Sequence, residues 1–223
     1  MKSFRKKYPK TARFLKGAGT AVQVAHKAYS IAKTVAALVN SEKMIYQVVP
    51  TSFSCTTTPS IFNLTPMVQG DGVGNRHGNV VAIDSILLKY RINWYTPLTN
   101  NQLIRMMVVI DRNEETAEWN TPSELLQSVN VIGLKNINTR ARFKVLRDIT
   151  FRDDTSSPAF SRQMFLKSPN SHRGKNGQIL KHHVVYNGNN SYGRGCMYLM
   201  WFSTLATSAP TVEITWETKY FDN

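Results

Sequence analysis

From Val80 onward the chain alternates. Ile86, Leu88, Tyr90, Ile92 and Trp94 share one parity, and Leu87, Lys89, Arg91 and Asn93 share the other. A period of two over about ten residues, rich in β-branched and aromatic side chains, predicts a strand. A helix would scatter those five apolar residues around its axis. Val81 and Ile83 have the opposite parity, so the phase changes near Asp84-Ser85, which predicts a β-bulge. A strand this long, Val80–Pro97, needs several partners.

The same grammar recurs. Met44–Phe53 predicts a first strand, with Pro50 demoting its far end to an edge or bend. Leu103–Arg112 (LIRMMVVIDR) and Cys196–Thr204 (CMYLMWFST) are near-continuous apolar runs, which predicts burial on both faces. Phe143–Arg152 is a strand with Phe143, Val145, Ile149 and Phe151 on one face. Arg147 breaks that face, which places it near an interface or a sheet end. Phe160–Lys167 and Ile179–Tyr186 are two more strands. Thr211–Phe221 is the last, with Val212, Ile214, Trp216, Thr218 and Tyr220 on one face. Residues 54–79, 168–178 and 205–210 read as loops. Residues 113–142 are mostly not strand, apart from one short helix through Ser128 that Thr121-Pro122-Ser123-Glu124 would start, with Thr121 as its cap. Eight strands with one short helix predict an all-β sandwich of two four-stranded antiparallel sheets, and Greek-key connections make a jelly roll the best fit. Loops 54–79, 113–142, 168–178 and 205–210 are expected to cluster at one end of it.

Before Met44 the grammar differs. Residues 18–39 are Ala-rich, and Val24, Ala28, Ile31, Val35 and Leu38 fit one face of an amphipathic helix. It packs on its own domain or a neighbour, or forms against nucleic acid or membrane; the pattern does not separate these. Residues 1–16 hold Lys2, Arg5, Lys6, Lys7, Lys10, Arg13 and Lys16 and no acid. Such charges repel one another, which predicts an extended or fluctuating segment. Phe4, Tyr8 and Phe14 are interleaved and suit stacking on unpaired bases. These seven cations are the candidate nucleic-acid-binding residues, and the run also reads as a nuclear import signal.

Charge sharpens the division. The chain of 223 residues carries a net charge of +14. Residues 1–43 hold ten Lys/Arg against Glu42 alone, a net of +9 (10 − 1), and residues 44–223 hold eighteen against thirteen acids, +5 (18 − 13). The predicted organisation is a basic arm with a helix over 1–43 and a jelly-roll β domain over 44–223. An acidic polymer is the natural partner. No run of about twenty uninterrupted apolar residues predicts a membrane span, and no signal peptide is evident.

Enzyme chemistry finds little support. His182 and His183 are adjacent on a predicted strand, so they point to opposite faces and cannot share a metal. No HxH or HExxH motif accompanies them, the spacings of a cupin metal site are missing, and no cofactor is predicted. GDGVGN contains GxG but precedes no helix, so it is not a dinucleotide loop. Glu114-Glu115-Glu118 and Asp153-Asp154 read as solvated loop acids; calcium bridging between subunits is their functional alternative. Cys55 and Cys196 lack CxxC spacing and read as buried thiols.

With the arm and eight strands in place, the chain resembles the jelly-roll coat proteins of small icosahedral viruses. In particular it is similar to the capsid proteins of circular, replication-initiator-encoding single-stranded DNA viruses whose coat looks like that of satellite tobacco necrosis virus. The residues that carry the resemblance are the arm Lys2–Lys16, the segment Gly74-Asn75-Arg76-His77-Gly78 leading into Val80–Tyr90, the strand Met107–Arg112, and the glycine-asparagine loop before Cys196–Phe202. The resemblance implies a non-enzymatic coat protein that self-assembles, with about sixty copies in the smallest icosahedral arrangement. It implies an inward-pointing arm that packages a single-stranded genome, DNA rather than RNA, in a virion assembled in the host nucleus, with a host receptor as a further partner. Nine net charges per arm over about sixty copies make on the order of 540 positive charges, a large part of what a genome of one or two thousand nucleotides carries. The alternative is a nuclear single-stranded nucleic-acid-binding or shuttle protein that forms no shell.

Overall fold

The computed structural model describes residues 42–96, 102–113, 117–153, 157–167, 169, 172–173 and 179–222. The helix predicted over 18–39 and the arm cations lie outside them. Residues Lys43–Asn223 form one compact unit.

The strands are β1 (Glu42–Ser54), β2 (Ser60–Asn63), β3 (Val80–Asn93), β4 (Leu103–Asp111), β5 (Phe143–Arg152), β6 (Ala159–Lys167), β7 (His172–Arg173), β8 (Ile179–Leu180), β9 (His182–Tyr186), β10 (Gly193–Arg194), β11 (Met197–Ser203) and β12 (Thr211–Asp222). Among the described residues there is one helix, α1, the single turn Pro122–Leu125. One sheet runs β1-β12-β3-β9-β10, with β6 also paired to β3; the other runs β2-β11-β4-β5. β6 pairs antiparallel with Ser85–Asn93 and β9 with Val80–Ile83, so β6 and β9 sit end to end beside β3. They fill one strand position, interrupted by an excursion that carries the β7–β8 pair. The first sheet then has four positions and, beyond β9, the two-residue β10; the second has four, and the chain passes between sheets in the Greek-key order of a jelly roll. The all-β, antiparallel jelly-roll sandwich read from the sequence is therefore the fold.

The phase change in β3 is a bulge: Lys219 pairs with Ser85 and Tyr220 with Ile83, leaving Asp84 as the extra residue. It turns Val81 and Ile83 to the same core as Ile86 and Leu88, all buried. Between the sheets Phe151 stacks on Trp201 at 5.9 Å, and Tyr90 meets Trp201 edge-on at 5.4 Å.

Three expectations need correction. First, residues 54–79, which read as one loop, hold the strand β2. β2 pairs with β11 through Ser60–Trp201 to Asn63–Tyr198. Second, β5 has its own bulge: Val108 pairs with Arg147 and Val109 with Val145, leaving Leu146 as the extra residue. Ile149 and Phe151 therefore face the core, whereas Phe143 turns to the other side of the sheet and packs on Trp119 at 5.0 Å. Arg147 sits in the middle of this edge strand, exposed. Third, the loops split between both ends, because strands joined in antiparallel order send successive connections to opposite ends. At one end Cys55 N donates to Pro210 O (2.8 Å), Trp94 N to Pro158 O (2.8 Å) and Ser203 N to Thr56 O (2.7 Å). At the other, Tyr186 N donates to Asn79 O (2.8 Å), Gly195 N to Asp111 O (2.7 Å), and Asn63 Nδ2 to Ser191 O (2.9 Å). Loops 64–79, 112–142 and 187–196 share this second end.

β4 and β11 are buried on both faces, as their apolar runs imply. The outer cover is the long β4–β5 connection: Trp119, Leu125, Leu126 and Val131 are buried there, and Trp119 meets Tyr198 of β11 at 5.5 Å. Pro122 does open α1, but Thr121 makes no side-chain cap, and the helix stops at Leu125 rather than Ser128.

Trp216 on β12 is buried and packs edge-on against Phe62 at 6.3 Å, and among the described residues its indole N–H has no hydrogen-bond partner. Replacing it by Ala should cost about 3–5 kcal/mol in chemical denaturation. Replacing it by Phe should cost far less, because the orphan N–H goes while most of the ring area stays. Equal losses for the two variants would contradict this account.

Candidate nucleic-acid and assembly surfaces

The seven arm cations, Lys2 to Lys16, lie outside the described residues. At its junction with residues 1–41 the chain enters the jelly roll at β1, an edge strand of the first sheet, and the outward face of that sheet carries several cations. Register decides which residues share it. They are Gln47 on β1, Glu213, Thr215, Glu217 and Lys219 on β12, Leu87, Lys89 and Arg91 on β3, and Gln163, Phe165 and Lys167 on β6.

Four cations here, Lys89, Arg91, Lys167 and Lys219, face two acids, Glu213 and Glu217. Glu217 accepts from Gln47 Nε2 at 2.6 Å and pairs with Lys219 Nζ at 3.0 Å. These bonds hold its carboxyl below the usual carboxylate range. Glu217 is thus already engaged, which leaves the β3–β6 side more cationic. Two troughs cross the face, one of about 490 Å³ past Gln47, Leu87 and Lys89, and one of about 460 Å³ past Lys89, Arg91, Ser161 and Gln163. Phe165 is 57% exposed beside them. Cations, amide and hydroxyl groups and an exposed ring suit a flexible polyanion with unpaired bases. At the junction itself, the bulged Asp84 is held by Lys43 at 3.6 Å and Lys181 at 3.7 Å, and the Lys181 ammonium lies 3.4 Å from the centre of the Phe221 ring.

Three arginines that sequence reading did not single out for this role tie the loops down, Arg76 and Arg142 at the second end and Arg105 beneath the β4–β5 connection. Arg76 is fully buried. Its guanidinium donates to Met67 O, Gly78 O and Asn79 Oδ1 in its own loop and to Gly188 O and Asn190 O across the gap. It lies over the Tyr186 ring at 4.2 Å. Burial lowers its pKa, yet guanidinium stays charged. Arg105 on β4 takes Asp148 in a two-pronged pair at 2.8 Å and donates to Val131 O and Gly133 O, so it pins the covering loop to the sheet. A third arginine, Arg142, joins Asp111 (2.7 Å) and Glu124 (3.0 Å). The Gly74-Asn75-Arg76-His77-Gly78 segment is thus structural: Tyr220 OH donates to Asn75 O at 2.8 Å, and Asp222 accepts from the His77 and Gly78 amides.

His182 and His183 face opposite ways, as strand geometry requires. His182 is buried and shares a hydrogen bond with Gly195 O at 2.7 Å, while His183 is exposed. Burial, with Lys144 and His183 nearby, lowers the His182 pKa from 6.5, against a raising effect of the Gly195 bond. Arg112 and Arg194 line the same recess. A depressed histidine pKa stabilises the fold fully above about 6.5 and loses that stability as pH falls from there through the folded value. The unfolding temperature should therefore decline from pH 7 towards pH 5, and His182→Gln should flatten that decline. A slope unchanged by the substitution would assign it to other groups.

Cys55 and Cys196 are free and buried, and burial pushes both thiols up to about 12. Among the described residues no three His, Cys, Asp or Glu side chains gather to hold a metal ion. Glu118 accepts from Asn63 Nδ2, and Asp153 is buried and accepts from the Gln102 amide, so both serve loop structure. Among the described residues, too, no helix is long and apolar enough to cross a membrane.

A family model described as satellite tobacco necrosis virus coat protein matches residues 21–223. A coat protein of maize white line mosaic satellite virus is 34% identical over 96 residues, which is 41% of this chain and 43% of that protein, so the aligned stretch is less than half of either. Among solved structures, a desmodium yellow mottle tymovirus chain overlaps 82% of this chain and 88% of its own at 11% identity and a TM-score of 0.36. A cowpea mosaic virus top-component chain overlaps 79% and 81% at 9% identity and a TM-score of 0.35. The jelly-roll assignment rests on strand order, not on these distant overlaps.

Proposed function

The chain belongs to the satellite tobacco necrosis virus coat protein family, and from that premise we propose that it assembles into a small icosahedral shell and packages a single-stranded genome through Lys2, Arg5, Lys6, Lys7, Lys10, Arg13 and Lys16. Family membership makes it a structural capsid protein of the virion and not an enzyme. The packaging role is supported by the placement of charge: a net of +9 lies in residues 1–43. Within the sandwich, the outward face of the first sheet adds Lys89, Arg91 and Lys167.

The expectation of DNA over RNA has no support in the matches, because the family is that of an RNA virus. The genome in this proposal is single-stranded nucleic acid, and digestion of particle contents with DNase or RNase identifies it. Assembly in a host nucleus would use the same basic run; a fluorescent protein fused to residues 1–16 that stays cytoplasmic removes that part. The shell itself is tested by size-exclusion chromatography and negative-stain microscopy of expressed protein. Discrete, uniform particles support it. A stable monomer at every concentration defeats it and favours a binding protein that forms no shell.

A further inference from the structure

We propose that Ile132, Leu134 and Ile137, on the β4–β5 connection, form an apolar contact with a second copy of this chain in the shell. The inference rests on the self-assembly proposed above and adds where one contact lies.

The observation is exposure in a place built to be rigid. Ile132 is 84% exposed, Leu134 73% and Ile137 69%, three large aliphatic side chains within six residues. Single exposed apolar residues are ordinary on a protein surface, but a cluster marks an interaction site. The backbone beneath them is tied down. Gln127 N donates to Leu134 O at 2.9 Å, Asn136 N to Leu125 O at 2.8 Å and Ile132 N to Asn130 Oδ1 at 3.1 Å. Arg105 holds the Val131 and Gly133 carbonyls from below. Gly133 is confined as well: a Cβ there would lie 2.0 Å from Ser128 O. Within this turn Val131 points inward and is buried, so its neighbours are committed to solvent. A preorganised apolar patch loses little conformational freedom on docking.

The chemistry selects the occupant. A single-stranded polyanion binds through clustered cations and aromatic rings, and this patch offers three aliphatic side chains, no ring and a single cation, Lys135. A protein surface fits: an apolar centre bordered by polar Asn130, Asn136 and Asn138 has the anatomy of a protein–protein interface. For a member of a coat-protein family the protein met in greatest number is another copy of itself.

Two measurements test this. Leu134→Cys places a surface thiol in a chain whose own cysteines are both buried. Maleimide labelling of that thiol should be fast in dissociated subunits and slowed at least about tenfold in particles, as expected for a residue inside a contact. Equal labelling rates in the two states overturn the proposal. Separately, Ile132→Ser combined with Leu134→Ser should raise the protein concentration needed for assembly at least about tenfold. The unfolding temperature of the dissociated subunit should stay within about 2 °C of wild type. A double variant that assembles at the wild-type concentration overturns the proposal. Wild-type protein that never assembles removes the shell reading itself, which is a different result from an assembled but unprotected Leu134→Cys.

Discussion

Arg76→Met is expected to cost at least about 3–5 kcal/mol, the range for removing one partner from a buried charged network. The side chain is fully enclosed, and its guanidinium donates to five oxygens, on Met67, Gly78, Asn79, Gly188 and Asn190. Met fills a similar volume but donates nothing, so those acceptors stay buried without a partner, each at about 1–3 kcal/mol unless water enters. Arg76→Lys keeps the charge and should still lose most of the stability, because an ammonium is a point donor and cannot reach both loops in a planar fork. Urea denaturation of the dissociated subunit measures both. A loss below about 1 kcal/mol for Arg76→Met would mean that the 64–79 and 187–192 loops hold together without it. Loss of assembly should accompany loss of stability, since these loops share the end of the sandwich from which the β4–β5 connection also emerges.

Arg76 also shows where sequence reading runs out. Its segment is part of what carries the family resemblance, but nothing in a basic residue among glycines and asparagines marks it for burial. Only the tertiary arrangement brings five oxygens around it. The strands were legible where period two persists: β3 with its bulge at Asp84, and β12, whose alternate side chains are buried along its whole length. β2 was not, because Ser-Ile-Phe-Asn spans four residues, all of them half-buried. Such a run is too short to show a period. β5 misled in another way. Phe143, Val145, Ile149 and Phe151 are all odd-numbered, so simple parity puts them together, and the extra residue at Leu146 sends two of them to the other side. The β4–β5 connection was read as mostly loop, which is right by backbone, yet it supplies the outer layer over β4 and β11 and the exposed aliphatics above it. A loop that buries Leu125, Leu126 and Val131 while presenting Ile132, Leu134 and Ile137 has no period by which the two sets could be told apart.

Deleting residues 2–16 should reduce packaged nucleic acid sharply while leaving the sandwich folded, because the sandwich's contacts lie within Lys43–Asn223. The deletion removes seven cations, Lys2, Arg5, Lys6, Lys7, Lys10, Arg13 and Lys16. If each neutralises one phosphate of a single strand, the slope of log affinity against log salt should flatten by about 5, since each contact contributes about 0.7. Across the range from about 50 to 200 mM salt the wild type should then lose roughly 10³-fold more affinity than the deletion. Fluorescence anisotropy with a labelled oligonucleotide reads the slope, and the ratio of 260 to 280 nm absorbance reads particle content. The sheet face gives the comparison: Lys89→Gln with Arg91→Gln removes two cations and should flatten the slope by only about 1–2. Unchanged content after deletion of the arm, with content lost in the sheet variant, would move genome binding from the arm to the outward face of the first sheet. The arm should dominate for a physical reason: its cations lie on a segment free of acids, whereas those of the sheet share their surface with Glu213 and Glu217 and are partly neutralised before any phosphate arrives.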